Sequence, residues 1–293
     1  MSDTIKVILS PRGSDIGNLI VRRILPQRAA RLVGPFIFFD HMGPATFAPG
    51  KGLDVKPHPH IGLATVTYLF EGAITHRDSL GSLRDILPGD INWMTAGTGI
   101  AHSERTPDAA RASGHVVNGI QTWVALPVEH EDAEPSFSHH PAATLPAFER
   151  DGVRVRVLVG TAFGMTSPVE TFSPTLFAAA EFDAGGALGV DDEHEERAVY
   201  LVDGDLTIDG EALQVSTMAV LTPGAEVKLE SARGARAMLL GGAHLPGLRY
   251  IEWNFVSSSQ EKIEAAKKAW TGQTFPKVPD ETEWTPLPVR EPR

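Results

Sequence analysis

Two short runs hold the residues best suited to chemistry: His58-Pro59-His60, and His102-Ser103-Glu104 about forty residues later. Residues i and i+2 of a β-strand point to the same face, so each run can aim two ligand side chains at one point. Three imidazoles and one carboxylate make a donor set for a divalent first-row transition metal, with iron the first candidate and room left for substrate or oxygen. A His-x-His by itself is more often a packed or surface pair than a metal site. The second doublet shifts that balance, because Gly97-Thr98-Gly99 lets the backbone turn tightly just before His102 and Glu104. The chain has no cysteine, so thiolate ligands, thiolate nucleophiles and disulfides are all excluded. The same donors also accept Mn, Ni, Co, Cu or Zn.

The elements that must carry these residues read as short strands cut by turns. Val66-Thr67-Tyr68-Leu69-Phe70 is β-branched and aromatic and stops at Glu71-Gly72; Pro88-Gly89-Asp90 is a turn before Ile91-Asn92-Trp93-Met94. Regular short strands without helical periodicity between them indicate an all-β chain, an antiparallel sandwich or barrel. Around Pro127 to Pro146 the composition turns to Glu, His, Ala and Pro, as in a linker. The strand pattern then returns with an internal echo. Tyr68-Leu69-Phe70-Glu71-Gly72 matches Tyr200-Leu201-Val202-Asp203-Gly204 at an offset of 132, and Leu87-Pro88-Gly89 parallels Thr222-Pro223-Gly224 at 135. These offsets carry His58 to Val190, His60 to Asp192, His102 to Ala237 and Glu104 to Leu239, so the second copy lacks the ligand set. Near the end, Ser258 with Glu261 forms a capping-box pattern before a helix that Gly272 stops, and Phe275 to Pro292 reads as an extended surface tail.

Charge narrows the partners. A net charge of −11 disfavours direct nucleic-acid binding, which needs an excess of Lys and Arg, and disfavours an anionic membrane surface equally. No run approaches the ~20 apolar residues of a membrane span, and the first residues lack an apolar signal core. The expectation is an acidic cytoplasmic protein.

The longer motifs resemble one family. His58-Pro59-His60-Ile61-Gly62, Tyr68-Leu69 with Glu71-Gly72, Pro88-Gly89-Asp90, and Trp93-Met94-Thr95-Ala96-Gly97 through Gly99-Ile100-Ala101-His102-Ser103-Glu104 look like pirins, members of the cupin superfamily. Gly34-Pro35-Phe36, Phe39-Asp40-His41, Gly119-Ile120-Gln121-Thr122-Trp123 and Trp253-Asn254 fit the same family. The resemblance implies two tandem antiparallel cupin (jelly-roll) β-barrels with a short C-terminal helix and tail. It implies a metal-binding N-terminal domain over 1–135 and a degenerate C-terminal domain over 136–293. Carried over residue by residue, it gives His58, His60, His102 and Glu104 as ligands of one divalent metal, Fe(II) first. Pirins are described as iron proteins; several have quercetin 2,3-dioxygenase activity, and a nuclear relative is a transcriptional coregulator.

The resemblance implies a dioxygenase that opens a flavonol-like substrate with O2; the ligand set then suggests a metal that acidifies the 3-hydroxyl, with Glu104, the only carboxylate in the set, as candidate base. The alternative is a metal-bearing regulator that binds a protein partner, and a third reading is a vestigial site. The sequence departs from the usual pirin wording, reading Ile61-Gly62-Leu63-Ala64-Thr65 where the family reads Arg-Gly-Phe-Glu-Thr; Ala64 stands where many cupins carry a metal-binding glutamate. Phe39, Trp93 and Met94 are candidate pocket walls, and Asp40 and His41 candidate supports for the ligands. His139-His140 reads as solvated, and His76, His115, His130, His194 and His244 lack partners at ligand spacing.

Overall fold

The computed structural model describes residues 3–16 and 18–288, and contacts divide the chain into two compact units. One unit comprises residues 15–21, 42–139 and 246–293. Its first sheet has the strand order Asp54–His60, Ile100–Arg105, Ile74–Asp78, Leu83–Ile86. In its second, Leu63–Glu71 lies between Ile91–Thr95 and His115–Ala125, all antiparallel. Leu63–Glu71 is rich in β-branched and aromatic residues and is buried through Leu69. Gly72 ends it at φ +89°, where a Cβ would meet the Val116 carbonyl at 2.2 Å. Leu53, Leu69, Ile74, Ile86 and Val117 pack one end of the unit.

The other unit comprises 1–14, 22–41 and 140–245. It repeats the plan strand for strand. Ala187–Val190, Val227–Glu230, Leu206–Ile208 and Glu211–Leu213 form its smaller sheet, while Glu196–Gly204 lies between Met218–Leu221 and Ala235–Gly242 in the larger. Ile5–Leu9 pairs antiparallel with Met218–Leu221 and closes that edge. Val155, Val199, Leu201, Leu229, Ala237 and Leu239 belong to one apolar core. The expected fold, two tandem antiparallel barrels with a short C-terminal helix, is what the structure contains. Neither unit is one continuous stretch: 1–14 and 22–41 group with 140–245, and 15–21 and 246–293 group with 42–139.

The duplication is real, but one of its two markers is misplaced. The Tyr68 and Tyr200 runs occupy equivalent strands, each ended by a positive-φ glycine. Pro88-Gly89, however, precedes Ile91–Thr95, whereas Pro223-Gly224 follows its counterpart Met218–Leu221. The shorter loops of the second copy reduce the offset along this stretch, so Ile100–Arg105 corresponds to Val227–Glu230. Ala237 and Leu239 are therefore not the counterparts of His102 and Glu104. The loss of ligands stands, since neither Ala187–Val190 nor Val227–Glu230 contains a histidine.

Three local expectations are revised. The proposed linker is structured: Ser136–His140 is a strand beside Ile91–Thr95, and Glu131 is buried, facing Arg249 at 3.2 Å and accepting from Ser258 N at 2.8 Å. The helix Gln260–Thr271 is capped by Ser259, not Ser258, and Ser259 Oγ accepts from Lys262 N. The tail, described through 288, is pinned rather than merely surface-laid. Phe275 and Val278 pack with Ile61, Ala101 and Trp270, and Glu281 accepts from Ser103 Oγ at 2.7 Å and from Arg105.

Candidate metal centre

The two doublets meet because their strands are neighbours. In the antiparallel pair of Asp54–His60 with Ile100–Arg105, His102 lies opposite His58 and Ile100 opposite His60, and a bulge separates His102 from Glu104. Pro59 and Ser103, the intervening residues, point away from the ligands; Ser103 meets the tail. Gly97 adopts φ +49°, where a Cβ would sit 1.8 Å from the Ala133 carbonyl, and Gly99 lies against the Phe275 ring, which would be 2.8 Å from its Cβ. No side chain fits at either position, so glycine sets the approach of the second doublet.

The ligand nitrogens of His58, His60 and His102 all lie within 4.8 Å of one another, and all three residues are buried. Ring centroids are 4.3 Å apart for His58 and His102, and 5.0 Å for each of the other pairs. Nδ1 of His58 donates to Lys56 O at 2.9 Å, and Nδ1 of His60 to Asn254 O at 3.2 Å. Those bonds leave the two Nε2 lone pairs as the remaining donors to an ion. His102 brings its Nε2 to 3.1 Å from Nε2 of His60. Burial pushes His58 down to about 4 and holds His60 and His102 well below the usual histidine range, with the neighbouring imidazoles adding to the effect. The rings are neutral at physiological pH, the form a metal requires. The donor set fits a divalent transition metal.

Glu104 is outside that three-histidine group. It is buried, lies opposite His76, and accepts from Thr67 Oγ1 at 3.3 Å. Burial raises its carboxyl above the ordinary range, against lowering by His76 and the Thr67 bond.

The wall follows from register. Thr67 faces Glu104, and the His60 ring lies 5.1 Å from that of Trp123. Directly paired residues share a face. Thr65, Thr67, Asn92, Met94, Gln121 and Trp123 therefore share the ligand side. Met94 is on this face as expected, but Trp93 pairs with Val66 on the other and donates to Thr95 Oγ1. Phe39 packs instead on Tyr200 at 4.9 Å. Ala64, paired with Val124 and Thr95, also points away. A glutamate there would not reach the histidines, so its absence leaves the site intact.

Asp40 and His41, expected to support the ligands, bond other residues: Asp40 binds Arg23 at 2.7 and 2.8 Å, and His41 binds Tyr200 Oη at 2.7 Å. Support comes from residues the sequence reading passed over. Nδ1 of His76 lies 3.4 Å from Nδ1 of His102, and its Nε2 is 3.0 Å from Asp78 Oδ2. The signal was present, since His76-Arg77-Asp78 has the spacing of the two ligand doublets. His139, expected in solvent, is half-buried and bonds Asn92 Oδ1 at 2.8 Å.

Twin antiparallel barrels, one with three buried imidazoles and the other filled with aliphatic side chains, define a bicupin. Residues 18–124 match the Pirin family and residues 177–276 the Pirin C-terminal cupin domain. The chain is 48% identical to a pirin-like protein of Caulobacter vibrioides, over 97% of this chain and 99% of that one. It is 30% identical to pirin of Homo sapiens over 88% and 89% of the two chains. A crystal structure of quercetin 2,3-dioxygenase from Acinetobacter baumannii superposes with TM-score 0.91 at 35% identity, covering 98% of this chain and 96% of that one. The chain belongs to the pirin family.

Proposed function

We propose that this chain is a metal-dependent dioxygenase of the quercetin 2,3-dioxygenase type, taking a flavonol-like aromatic substrate and O2. The observation that carries the proposal is the convergence of three buried, neutral imidazoles on one point. The likeness to the Acinetobacter baumannii enzyme over nearly the whole chain supports the reaction class. A bound divalent metal, Fe(II) in this proposal, would acidify the substrate 3-hydroxyl and make the resulting anion reactive towards O2. His58, His60 and His102 would hold it, with Glu104 the fourth ligand and the base in alternation. A carboxyl raised by burial suits the base, whereas a metal-held carboxylate does not. Thr67 Oγ1 donates to Glu104 and positions its carboxyl. Trp123 and Met94 supply apolar wall for a flat ring system, and Thr65, Asn92 and Gln121 supply polar anchors.

Protein loaded with Fe(II) and mixed aerobically with quercetin should bleach the flavonol absorbance, with matching O2 uptake and carbon monoxide release. A protein with one tightly held metal and no turnover of flavonols would sink the enzyme reading and leave the regulator, whose partner would be another protein.

A further inference from the structure

Behind His102 lies a pair of side chains that the proposed chemistry does not use. His76 and Asp78 come from Ile74–Asp78, the neighbour of Ile100–Arg105 on the side away from Asp54–His60, with Asp78 opposite His102. Both are buried, Asp78 completely. The Phe137 ring stacks on His76 with centroids 4.3 Å apart and planes 11° from parallel, which holds the imidazole in its plane. The second oxygen of Asp78 accepts from the backbone N–H groups of Leu80 and Ser82 at 2.9 and 3.0 Å.

Hydrogen-bond polarity can be followed from the carboxylate inward. Asp78 is held below the ordinary carboxylate range; burial, the largest influence, would raise it, but the bonds from His76 and Ser82 outweigh that. An ionised carboxylate only accepts, so His76 carries its proton on Nε2, 3.0 Å away. With Nε2 turned to Asp78 as donor, the Nδ1 of His76 faces His102 as the acceptor of the pair. His102, 3.4 Å from it, must donate through its own Nδ1–H. The lone pair of His102 is left on Nε2, beside Nε2 of His60. His58 and His60 reach the same state through the Lys56 and Asn254 carbonyls; His102 reaches it through a second ring and a charge.

We propose that Asp78 and His76 are positioning residues which, through two successive hydrogen bonds, fix the tautomer and orientation of His102 and make its Nε2 a metal donor. The proposal rests on the metal reading above.

Co(II), titrated into the full chain against a competing chelator, tests it. The amide introduced by D78N keeps its oxygen on the Leu80 and Ser82 N–H groups and turns its NH2 to His76. That drives the His76 proton to Nδ1 and the His102 proton onto Nε2, the donor atom. H76L removes the link. H76Q restores it, since a carboxamide accepts from His102 and donates to Asp78. D78N and H76L should bind Co(II) some ten- to hundredfold more weakly, with a changed Co(II) visible spectrum, whereas H76Q should stay within a few-fold of wild type. Wild-type affinity and spectrum in both D78N and H76L would overturn the proposal, as would a folded H76Q no better than H76L. If D78N fails to fold, the H76L and H76Q pair still decides, because it leaves the Asp78 turn bonds in place. A wild-type chain that takes up no Co(II) overturns the metal reading, and this proposal with it.

Discussion

His58, His60 and His102 are held neutral by their buried surroundings. Burial lowers His58 from 6.5 to about 4, and lowers His60 and His102 in the same direction. A folded pKa below the unfolded one means that the unfolded chain binds more protons between the two values. The stability contribution is therefore complete above about pH 6.5 and is lost on acidification towards pH 4. For His58 alone the difference from 6.5 to about 4 amounts to about 3 kcal/mol. Glu104, raised by burial, works in the opposite sense and offsets part of the gain as pH rises. Urea midpoints of metal-free protein in chelator should fall steeply between pH 6.5 and 4, and H58A should flatten that fall; equal slopes would show that His58 does not titrate as described. Glu104 has its own test. E104Q, loaded with Fe(II), should retain metal while losing quercetin turnover by about 100-fold or more. Unchanged turnover removes Glu104 as the base.

Two segments that look peripheral in sequence brace the site strands. Glu281 holds Ser103 and Arg105, the residues that alternate with His102 and Glu104. Thr285 donates its N–H to the Pro57 carbonyl, one residue before His58, and its own carbonyl accepts from Trp270 Nε1 on the C-terminal helix. The tail thus grips both ligand strands from their outer side. E281A should cost about 1–3 kcal/mol in urea unfolding and speed release of bound metal; metal release at the wild-type rate would make the strap purely structural. Glu131, in the segment that reads as a linker, carries more. It faces the buried Arg249 and receives Ser257, Ser258 and its backbone N–H. E131A takes the counter-charge from a buried guanidinium and should cost about 3–5 kcal/mol, a loss that a solvated linker would not show.

At the scale of the molecule, one topology is used twice with opposite interiors. The second copy packs Leu229 and its neighbours into an apolar core, whereas the first places three histidines, Glu104, Thr67 and Gln121 in its interior. A ligand that binds only the folded state stabilises the first barrel by an amount set by its concentration relative to its dissociation constant. Metal at a hundred times its dissociation constant should add about 2.7 kcal/mol. The melting temperature should rise on loading and fall on chelation. In H102A that response should shrink sharply, and an undiminished one would place the ion elsewhere.

By itself the sequence determined the strand-rich class, the duplication and the identities of the three histidines, because these rest on short-range rules: period-two alternation, glycine at forced turns and ligands two residues apart. Only the tertiary structure decided which residues stand behind the ligands. Asn254 reaches His60, Thr67 reaches Glu104, and His76 with Asp78 behind it reaches His102, each from another strand or loop, and these contacts follow from strand order and register. Faces obey the same logic. Ala64 and Trp93 point away from the site while Thr65 and Met94 point towards it, a distinction of one residue that pairing fixes and composition does not.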